Sequence, residues 1–465
     1  MGRVHLIGIC GTAMATVAAL LKHRGFDVSG SDEYVYPPMS DFLAAEGIRA
    51  MAGYQADHVS GDIDLVIVGN AISRGNPELE AVLDRGLRYT SLPEAIRDTW
   101  LWNAHSVVIA GTHGKTTTTA LAGWLLTAAG ADPSVLVGGI ARNFGADGAS
   151  YRVGKSRVFV IEGDEYDSAY FDKTAKFLKY LPKIAVINNI EFDHADIYPD
   201  LDAVRVAFRR LVNLVPGSGL TLLGIDSPEA AALAPHVRSR ALTFGLSEGA
   251  DWRAIDIRAS ATHTEFRIEQ GGQDRGVFSL PMLGDHNVRN ALAAIAIGAD
   301  LGLSVDALRD GLAGFKGVKR RLEMVGRSRG VTVYDDFAHH PTAVEETLRA
   351  MRRSASPGQR IWAIFEPRSA SSCRRVFQDD FARAFSGADR VVIASVYRSS
   401  LPVEERLSEA QLVSDLRARH VTAEHLPDVD AIVAGVARDA QEGDLVVVMS
   451  NGGFGGIHQK LLSAL

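Results

Sequence analysis

The run Gly111-Thr112-His113-Gly114-Lys115-Thr116-Thr117-Thr118 constrains this chain more than any other. It follows an apolar, β-branched stretch at 107–110 and precedes a helix-like stretch at 119–126. A strand, a glycine turn and a helix start, with Lys-Thr at the turn, make a phosphate cradle. Glycines let the backbone wrap close to a polyphosphate, and the N–H groups of the first helical turn point at the anion. In such a turn Lys115 reaches the β- and γ-phosphates and the Thr116 hydroxyl ligates Mg²⁺. The general spacing G-x-x-x-x-G-K-[ST] is met except at its first glycine, where Ile109 stands. ATP-dependent chemistry is the leading expectation, and a ligand-free glycine turn in a Rossmann-like domain is the plain alternative.

At 465 residues the chain is too long for one ordinary core, so two to four domains are expected. A net charge of −7 gives a nucleic-acid partner no general electrostatic support. Two cysteines, Cys10 and Cys373, argue against a disulfide framework and fit a reducing compartment. The first apolar run meets glycine at Gly8, unlike a signal peptide, and no apolar run is long enough to span a bilayer. The expectation is a cytoplasmic, soluble protein with no membrane partner; its oligomeric state stays open.

Strand-like runs alternate with amphipathic helical stretches, the pattern of α/β domains with largely parallel sheets. Three segments follow: 1–103, 104–316 and 317–465. The first opens with a strand at 4–8 and continues with strands at 27–30 and 65–68. The second holds the phosphate loop and strands at 158–161 and 184–187, and closes with helices at 287–301 and 305–312. Its period-two alternation across 251–283 predicts antiparallel strands. The third carries strands at 331–334, 361–365, 390–393 and 445–448.

Several polar clusters fall where such sheets bind ligands, at the C-terminal ends of strands. Gly8-Ile9-Cys10-Gly11 follows the first strand and Asp32 ends the second, but only G-x-x-G is present, so NAD binding is weakly supported. Glu162-Gly163-Asp164-Glu165-Tyr166-Asp167 follows another strand and is well placed for Mg²⁺, or is a solvated acidic loop. Asn188 to His194 follows the next, putting a histidine in a polar loop at the same kind of edge. Asn287 and Asn290 lie three apart, on one face of a helix start, where asparagines also serve as caps.

The sequence G-T-x-G-K-T-T-T resembles the signature of the Mur ligase family, the ATP-dependent enzymes that add amino acids or peptides to peptidoglycan precursors. The resemblance covers essentially the whole chain. It implies three α/β domains: a Rossmann-like N-terminal domain for the UDP substrate (1–103), a phosphate-loop ATPase-type central domain (104–316) and a Rossmann-like C-terminal domain for the amine substrate (317–465). Gly8, Gly11, Thr12, Met14, Ser31 and Asp32 match the UDP-binding loop and strand end. Gly111, Thr112, Gly114, Lys115, Thr116 and Thr117 match the ATP loop, and Asn287 and Asn290 the helix over the adenine. Glu162 and His194 match Mg²⁺ ligands, with Thr116. The stretch at 204–212 offers Arg205, Arg209 and Arg210 but no lysine for the carbamylation several Mur ligases use, as in the L-alanine-adding branch. Arg321 matches an arginine on the γ-phosphate. The run Asp335-Asp336-Phe337-Ala338-His339-His340-Pro341 resembles D-D-Y-G-H-H-P, with Asp336 facing ribose or phosphates and His339 and His340 near the reacting centre. Phe337 replaces the usual tyrosine.

The stretches at 30–40, 69–77, 365–369 and 449–458 look like the branch that joins UDP-N-acetylmuramate to a murein tripeptide, L-alanyl-γ-D-glutamyl-meso-diaminopimelate, in peptidoglycan recycling. Arg368, Asn451 and Gly453 would then face the peptide. The alternatives are a ligase for free L-alanine, an NAD-dependent oxidoreductase using the first domain, and a non-catalytic nucleotide-binding protein. The base that deprotonates the amine stays unassigned among His194, His339 and His340.

Overall fold

The computed structural model describes residues 2–397 and 401–465. The chain forms two compact units, one of residues 1–190 and 204–243, the other of 191–203 and 244–465. Three candidate domains in sequence are thus two bodies in space.

The first unit carries two larger sheets and a two-stranded antiparallel pair, Asp167–Ala169 with Asp172–Ala175. One is fully parallel, in the order Arg49–Ala52, Asp27–Asp32, Arg3–Ile7, Leu65–Val68, Tyr89–Ser91, as expected of a doubly wound domain. In the other, His105–Ala110 lies between Ile184–Ile187 and Val158–Gly163, all parallel. Leu220–Gly224 extends one side, and Ser134–Ala141 with antiparallel Ala149–Arg152 extends the other. The helix read from 119 starts earlier, spanning Lys115–Ala128, so Lys115 and Thr116 lie inside its first turn. Side chains tie the two sheet domains: Thr16 Oγ1 is 2.7 Å from Ser150 Oγ, Asn70 donates to Asp167 at 3.0 Å and Tyr151 to Glu46 at 3.0 Å.

The second unit contains the expected antiparallel strands, Trp252–Ala259, Thr264–Gln270 and Gln273–Leu280. Helices Asp285–Asp300 and Val305–Ala313 follow. The C-terminal sheet runs Glu323–Ser328, Val331–Asp336, Leu445–Met449, Ile361–Phe365, Arg390–Ile393, Thr422–His425, with only the first strand antiparallel. Because side chains alternate across a strand, Ile361, Ala363 and Phe365 join one core while Trp362 and Ile364 join the core on the opposite face. Both faces are covered, which is why these strands read as unbroken apolar runs. Trp362 keeps its indole N–H satisfied by donating to Asp444 at 2.9 Å. Among the described residues no helix is long and apolar enough to cross a membrane.

Helices Asp285–Asp300 and Pro341–Ser354 meet around Glu346. Its carboxylate lies 3.6 Å from His286 Nδ1, 3.7 Å from Arg289 and 3.1 Å from Arg349, and Asp285 pairs with Arg353 close by. Burial pushes the Glu346 carboxyl up, but the neighbouring His286, Arg289 and Arg349 outweigh it, holding the pKa at about 2 against an ordinary 4.5. A depressed folded-state value means the contribution is complete above pH 4.5 and is lost as pH falls from there to about 2. Glu346→Gln is therefore expected to cost about 1.5–3 kcal/mol at neutral pH. Denaturant titrations should show the gap from wild type closing as pH falls through that window.

Candidate active site

The loop between strand His105–Ala110 and helix Lys115–Ala128 is braced from the neighbouring strand end. Thr112 N–H donates to the Asn189 carbonyl at 3.1 Å, and His113 N–H to Asn189 Oδ1 at 2.7 Å. Asn188 donates to Thr118 Oγ1 at 3.0 Å. Gly111 has φ 138°, and a Cβ there would lie 2.9 Å from Asn188 Cβ, so this position requires glycine. Gly114 caps the helix in the left-handed conformation, without a side-chain cap. Thr116 and Thr117 are buried.

Lys115 Nζ donates to the carbonyls of Gly111 at 2.7 Å and Thr112 at 3.2 Å, and pairs with Glu165 at 2.8 Å. Burial pulls its pKa down, but Glu165, Asp164 and Glu162 outweigh it and hold the pKa above the usual lysine value. Glu162, on strand Val158–Gly163, accepts from Thr116 Oγ1 at 3.0 Å and from Gly138 N–H at 2.7 Å. A hydroxyl and a carboxylate held together are hard oxygen donors, the chemistry Mg²⁺ takes. The other acids of this loop have cationic partners: Asp164 pairs with Lys176 at 2.6 Å and Asp167 with Lys173 at 2.6 Å.

In the N-terminal domain Gly8 and Ile9 N–H groups donate to the Ser31 carbonyl at 2.8 and 2.9 Å, and Cys10 N–H to Asp32 Oδ2 at 2.8 Å. Gly11 and Thr12 are exposed at the helix start, and Met14 is buried behind them. The Ser31 hydroxyl is buried and donates to Glu78, so that side chain shapes the loop from within. Glu78 is itself fully buried and lies 2.7 Å from His58 Nδ1 and 3.4 Å from His5 Nε2. Glu78, His5 and His58 carry no motif; only the contrast of polar residues inside apolar runs marks them.

In the second unit, His194 stands at φ 55°, an uncommon conformation for a non-glycine residue. Its N–H donates to Asp193 Oδ1 at 2.7 Å and lies 3.1 Å from Ser371 Oγ, and Ser371 donates to Asp193 at 2.5 Å. Burial pushes the Asp193 carboxyl up, but His194, His339 and His340, with the Ser371 hydrogen bond, hold it well below the usual carboxylate range. His340 Nε2 lies 3.2 Å from the Phe192 carbonyl and its Nδ1 3.6 Å from Glu191. Ser371 is the residue that sequence reading passed over here; Asp193 belongs to the 188–194 run beside His194.

Asn287 donates to the Leu283 carbonyl at 2.8 Å and Asn290 to Asn287 Oδ1 at 3.2 Å, both buried. The helix cap is Gly284, so these asparagines are not caps. Asp336 accepts from Leu322 N–H at 2.6 Å and Ala338 N–H at 2.8 Å, and burial raises its pKa against the opposing charge of Arg321. Phe337 is a platform: Arg321 Cζ lies 5.1 Å and Arg320 Cζ 5.3 Å from its ring centre, and His339 meets it edge-on at 5.4 Å. Arg368 stacks on Tyr397 at 3.7 Å and reaches Glu366 at 3.5 Å. Asn451 is half-buried and Gly453 exposed.

A buried lysine kept charged by acids in a strand–glycine turn–helix loop defines a phosphate-loop nucleotide enzyme. Three family descriptions match in order: "Mur ligase family, catalytic domain" at 3–100, "Mur ligase middle domain" at 109–298 and "Mur ligase, glutamate ligase domain" at 320–452. The chain is 40% identical to the UDP-N-acetylmuramate–L-alanyl-γ-D-glutamyl-meso-2,6-diaminoheptandioate ligase of Escherichia coli K12, over all of this chain and 98% of that protein. A murein peptide ligase structure from Psychrobacter arcticus matches with TM-score 0.74 and 36% identity, covering 100% of this chain and 98% of that one. A UDP-N-acetylmuramate-alanine ligase structure from Thermotoga maritima matches with TM-score 0.81 and 25% identity, covering 100% and 99%. The chain belongs to the Mur ligase family and is an ATP-dependent ligase.

Lys115→Ala removes the cation that pairs with buried Glu165. Ligation is expected to fall by about a thousandfold or more, while cooperative thermal unfolding persists. A cooperatively folding variant that keeps a tenth or so of wild-type phosphate release would refute the role of Lys115.

Proposed function

We propose that this chain joins UDP-N-acetylmuramate to the tripeptide L-alanyl-γ-D-glutamyl-meso-diaminopimelate, converting ATP to ADP and phosphate, in peptidoglycan recycling. The observation that carries the reading is the full-length 40% identity to the E. coli ligase of that name, together with a loop that places Lys115 and Thr116 in the first turn of a helix. The boundaries 1–103, 104–316 and 317–465 are part of this reading: the three family matches fall in that order, while residues 191–203 and 244–316 cluster with the C-terminal part of the chain.

The lactyl carboxylate of UDP-N-acetylmuramate attacks the γ-phosphate in line, releasing ADP and forming an acyl phosphate. Lys115, whose ammonium its acids maintain, offsets the charge that develops on the phosphoryl oxygens. Thr116 and Glu162 would hold one Mg²⁺ and His194 a second, which would supply further positive charge to the phosphates when bound. Arg321 contacts the γ-phosphate, Asn287 and Asn290 the adenine, and Asp336 pins the turn before Leu322. Gly8, Gly11, Thr12, Met14, Ser31 and Asp32 form the UDP loop, with Ser31 acting from inside. The neutral α-amine of the tripeptide's L-alanine then attacks the acyl carbon. The tetrahedral intermediate loses phosphate, and the amine proton passes to a base for which His194, His339 and His340 are the candidates. Arg368, Asn451 and Gly453 receive the peptide.

The T. maritima likeness supports a second reading, in which free L-alanine is the amine. Phosphate release from ATP with UDP-N-acetylmuramate, comparing tripeptide with L-alanine and weighing each product by mass, separates the two. Tripeptide-dependent turnover with the matching product mass is expected. Turnover with L-alanine alone would replace this reading by the second.

A further inference from the structure

The acidic run after strand Val158–Gly163 is tied down at both ends. At its start Glu162 accepts from Thr116 Oγ1 and Glu165 pairs with Lys115 at 2.8 Å, so this part of the run braces the phosphate loop. Two residues beyond Glu165, Asp167 opens a small hairpin, Asp167–Ala169 antiparallel to Asp172–Ala175, with Tyr170 and Phe171 at its tip. The hairpin is closed by its own side chains: Ser168 donates to the Thr174 carbonyl at 2.9 Å, and Asp172 accepts from Thr174 Oγ1 at 2.6 Å.

The tip lies on the N-terminal domain. Tyr170 packs against the core cluster that contains Ile7, Val68 and Ile72, and Phe171 meets Tyr89 edge-on at 5.3 Å. At the base the Asp167 carboxylate is buried, and each of its oxygens has a donor: Asn70 Nδ2 at 3.0 Å on Oδ1 and Lys173 Nζ at 2.6 Å on Oδ2. Lys173 belongs to the hairpin and is exposed, whereas Asn70 comes from the N-terminal domain. Asn70 follows strand Leu65–Val68, which lies beside Arg3–Ile7 in the sheet, so the loops that leave these two strands share one edge. The loops touch: Gly69 N–H donates to the Ile7 carbonyl at 2.9 Å, and a Cβ on Gly8 would meet Ile72 Cδ1 at 3.5 Å. A continuous path of contacts therefore runs from Gly8 through the 69–72 loop and Asp167 to Glu165 and Lys115.

In-line attack needs the reacting atoms about 3–3.5 Å apart, and a misplacement of about 1 Å costs roughly a hundredfold in rate. Two substrates held by different domains meet this demand only if the domains keep register. The aromatic contacts at the hairpin tip are non-directional. The amide-to-carboxylate hydrogen bond at its base is directional, and it sits where the two substrate loops come closest along the path.

We propose that Asn70 and Asp167 are positioning residues that set the register between UDP-N-acetylmuramate and the γ-phosphate of ATP, on the reading that Gly8–Asp32 holds the first and Gly111–Thr117 the second. Neither touches a reacting atom. They act through the 69–72 loop on one side and through Glu165 and Lys115 on the other.

Phosphate release is measured in wild type and variants with ATP and UDP-N-acetylmuramate varied, at saturating levels of whichever amine the wild type turns over. Binding of UDP, and of a non-hydrolysable ATP analogue with Mg²⁺, is measured by calorimetry. Asn70→Asp sets a second carboxylate against Asp167 and is expected to lower kcat by about 10–100-fold. Both KM values and both binding constants should stay within about threefold of wild type, at full stoichiometry. Asp167→Asn should lower kcat in the same sense. The double variant Asn70→Asp/Asp167→Asn restores a donor and an acceptor with their places exchanged, and its kcat should exceed that of both single variants. A wild type that turns over no UDP-N-acetylmuramate would overturn the functional reading and this proposal together. Normal wild-type turnover with an unchanged kcat in Asn70→Asp, or a double variant no faster than its parents, would overturn the proposal alone. So would losses that appear as weak or substoichiometric binding with a lowered Tm, the mark of a merely structural role. If Asn70→Asp fails to fold, Asn70→Ala, which removes only the donor, carries the same kcat comparison.

Discussion

A lysine buried at the start of a helix stays charged only if something nearby stabilises the ammonium, and in this chain the acids at the end of strand Val158–Gly163 and in the loop after it do so. Glu165 pairs with Lys115, Glu162 engages Thr116, and Asp164 and Asp167 have lysines of their own. Two of the loop's N–H groups, those of Thr112 and His113, are taken up by Asn189 rather than by the loop itself. Its bracing comes instead from Asn188 and Asn189 on the strand alongside. Strand order therefore matters for function: parallel His105–Ala110 must lie between the strand that ends in acids and the strand that ends in asparagines.

Much of this was legible in the sequence because burial writes itself as composition. Strands 184–187, 361–365 and 390–393 are found at the expected residues, being short apolar runs covered on both faces. The alternation across 251–283 gave the antiparallel strands for the complementary reason. Element ends were less visible: the helix after the phosphate loop starts at Lys115, four residues before the apolar pattern begins, because its first turn is polar in sequence although Thr116, Thr117 and Thr118 are buried. The division into two units was not legible either, since residues 191–203 join the later part of the chain.

The polar residues that went unread share one trait: their partners are distant in sequence. Glu78 meets His5, Ser31 and His58; Ser371 meets Asp193; Arg320 meets residues 450 and 452. No local pattern announces such contacts. Motifs instead mark runs that are contiguous in sequence, which is why Lys115, Thr116 and Glu162 could be read while the residues holding loops in shape could not. Phe337 belongs to both sets. The tyrosine expected there would bring a hydroxyl, whereas the phenyl ring offers its faces to two guanidinium groups.

The central strand Ile361–Phe365 feeds two separate cores with alternate residues, Ile361, Ala363 and Phe365 on one side and Trp362 and Ile364 on the other. Such a strand has no neutral face. Exchanging one apolar side chain for another of similar volume is a local repair, but adding or removing a single residue would send every side chain to the wrong core and strand the Trp362 indole away from Asp444. Sequence drift in this domain is thus channelled into substitutions within the strand, while changes of length are left to the connections around it.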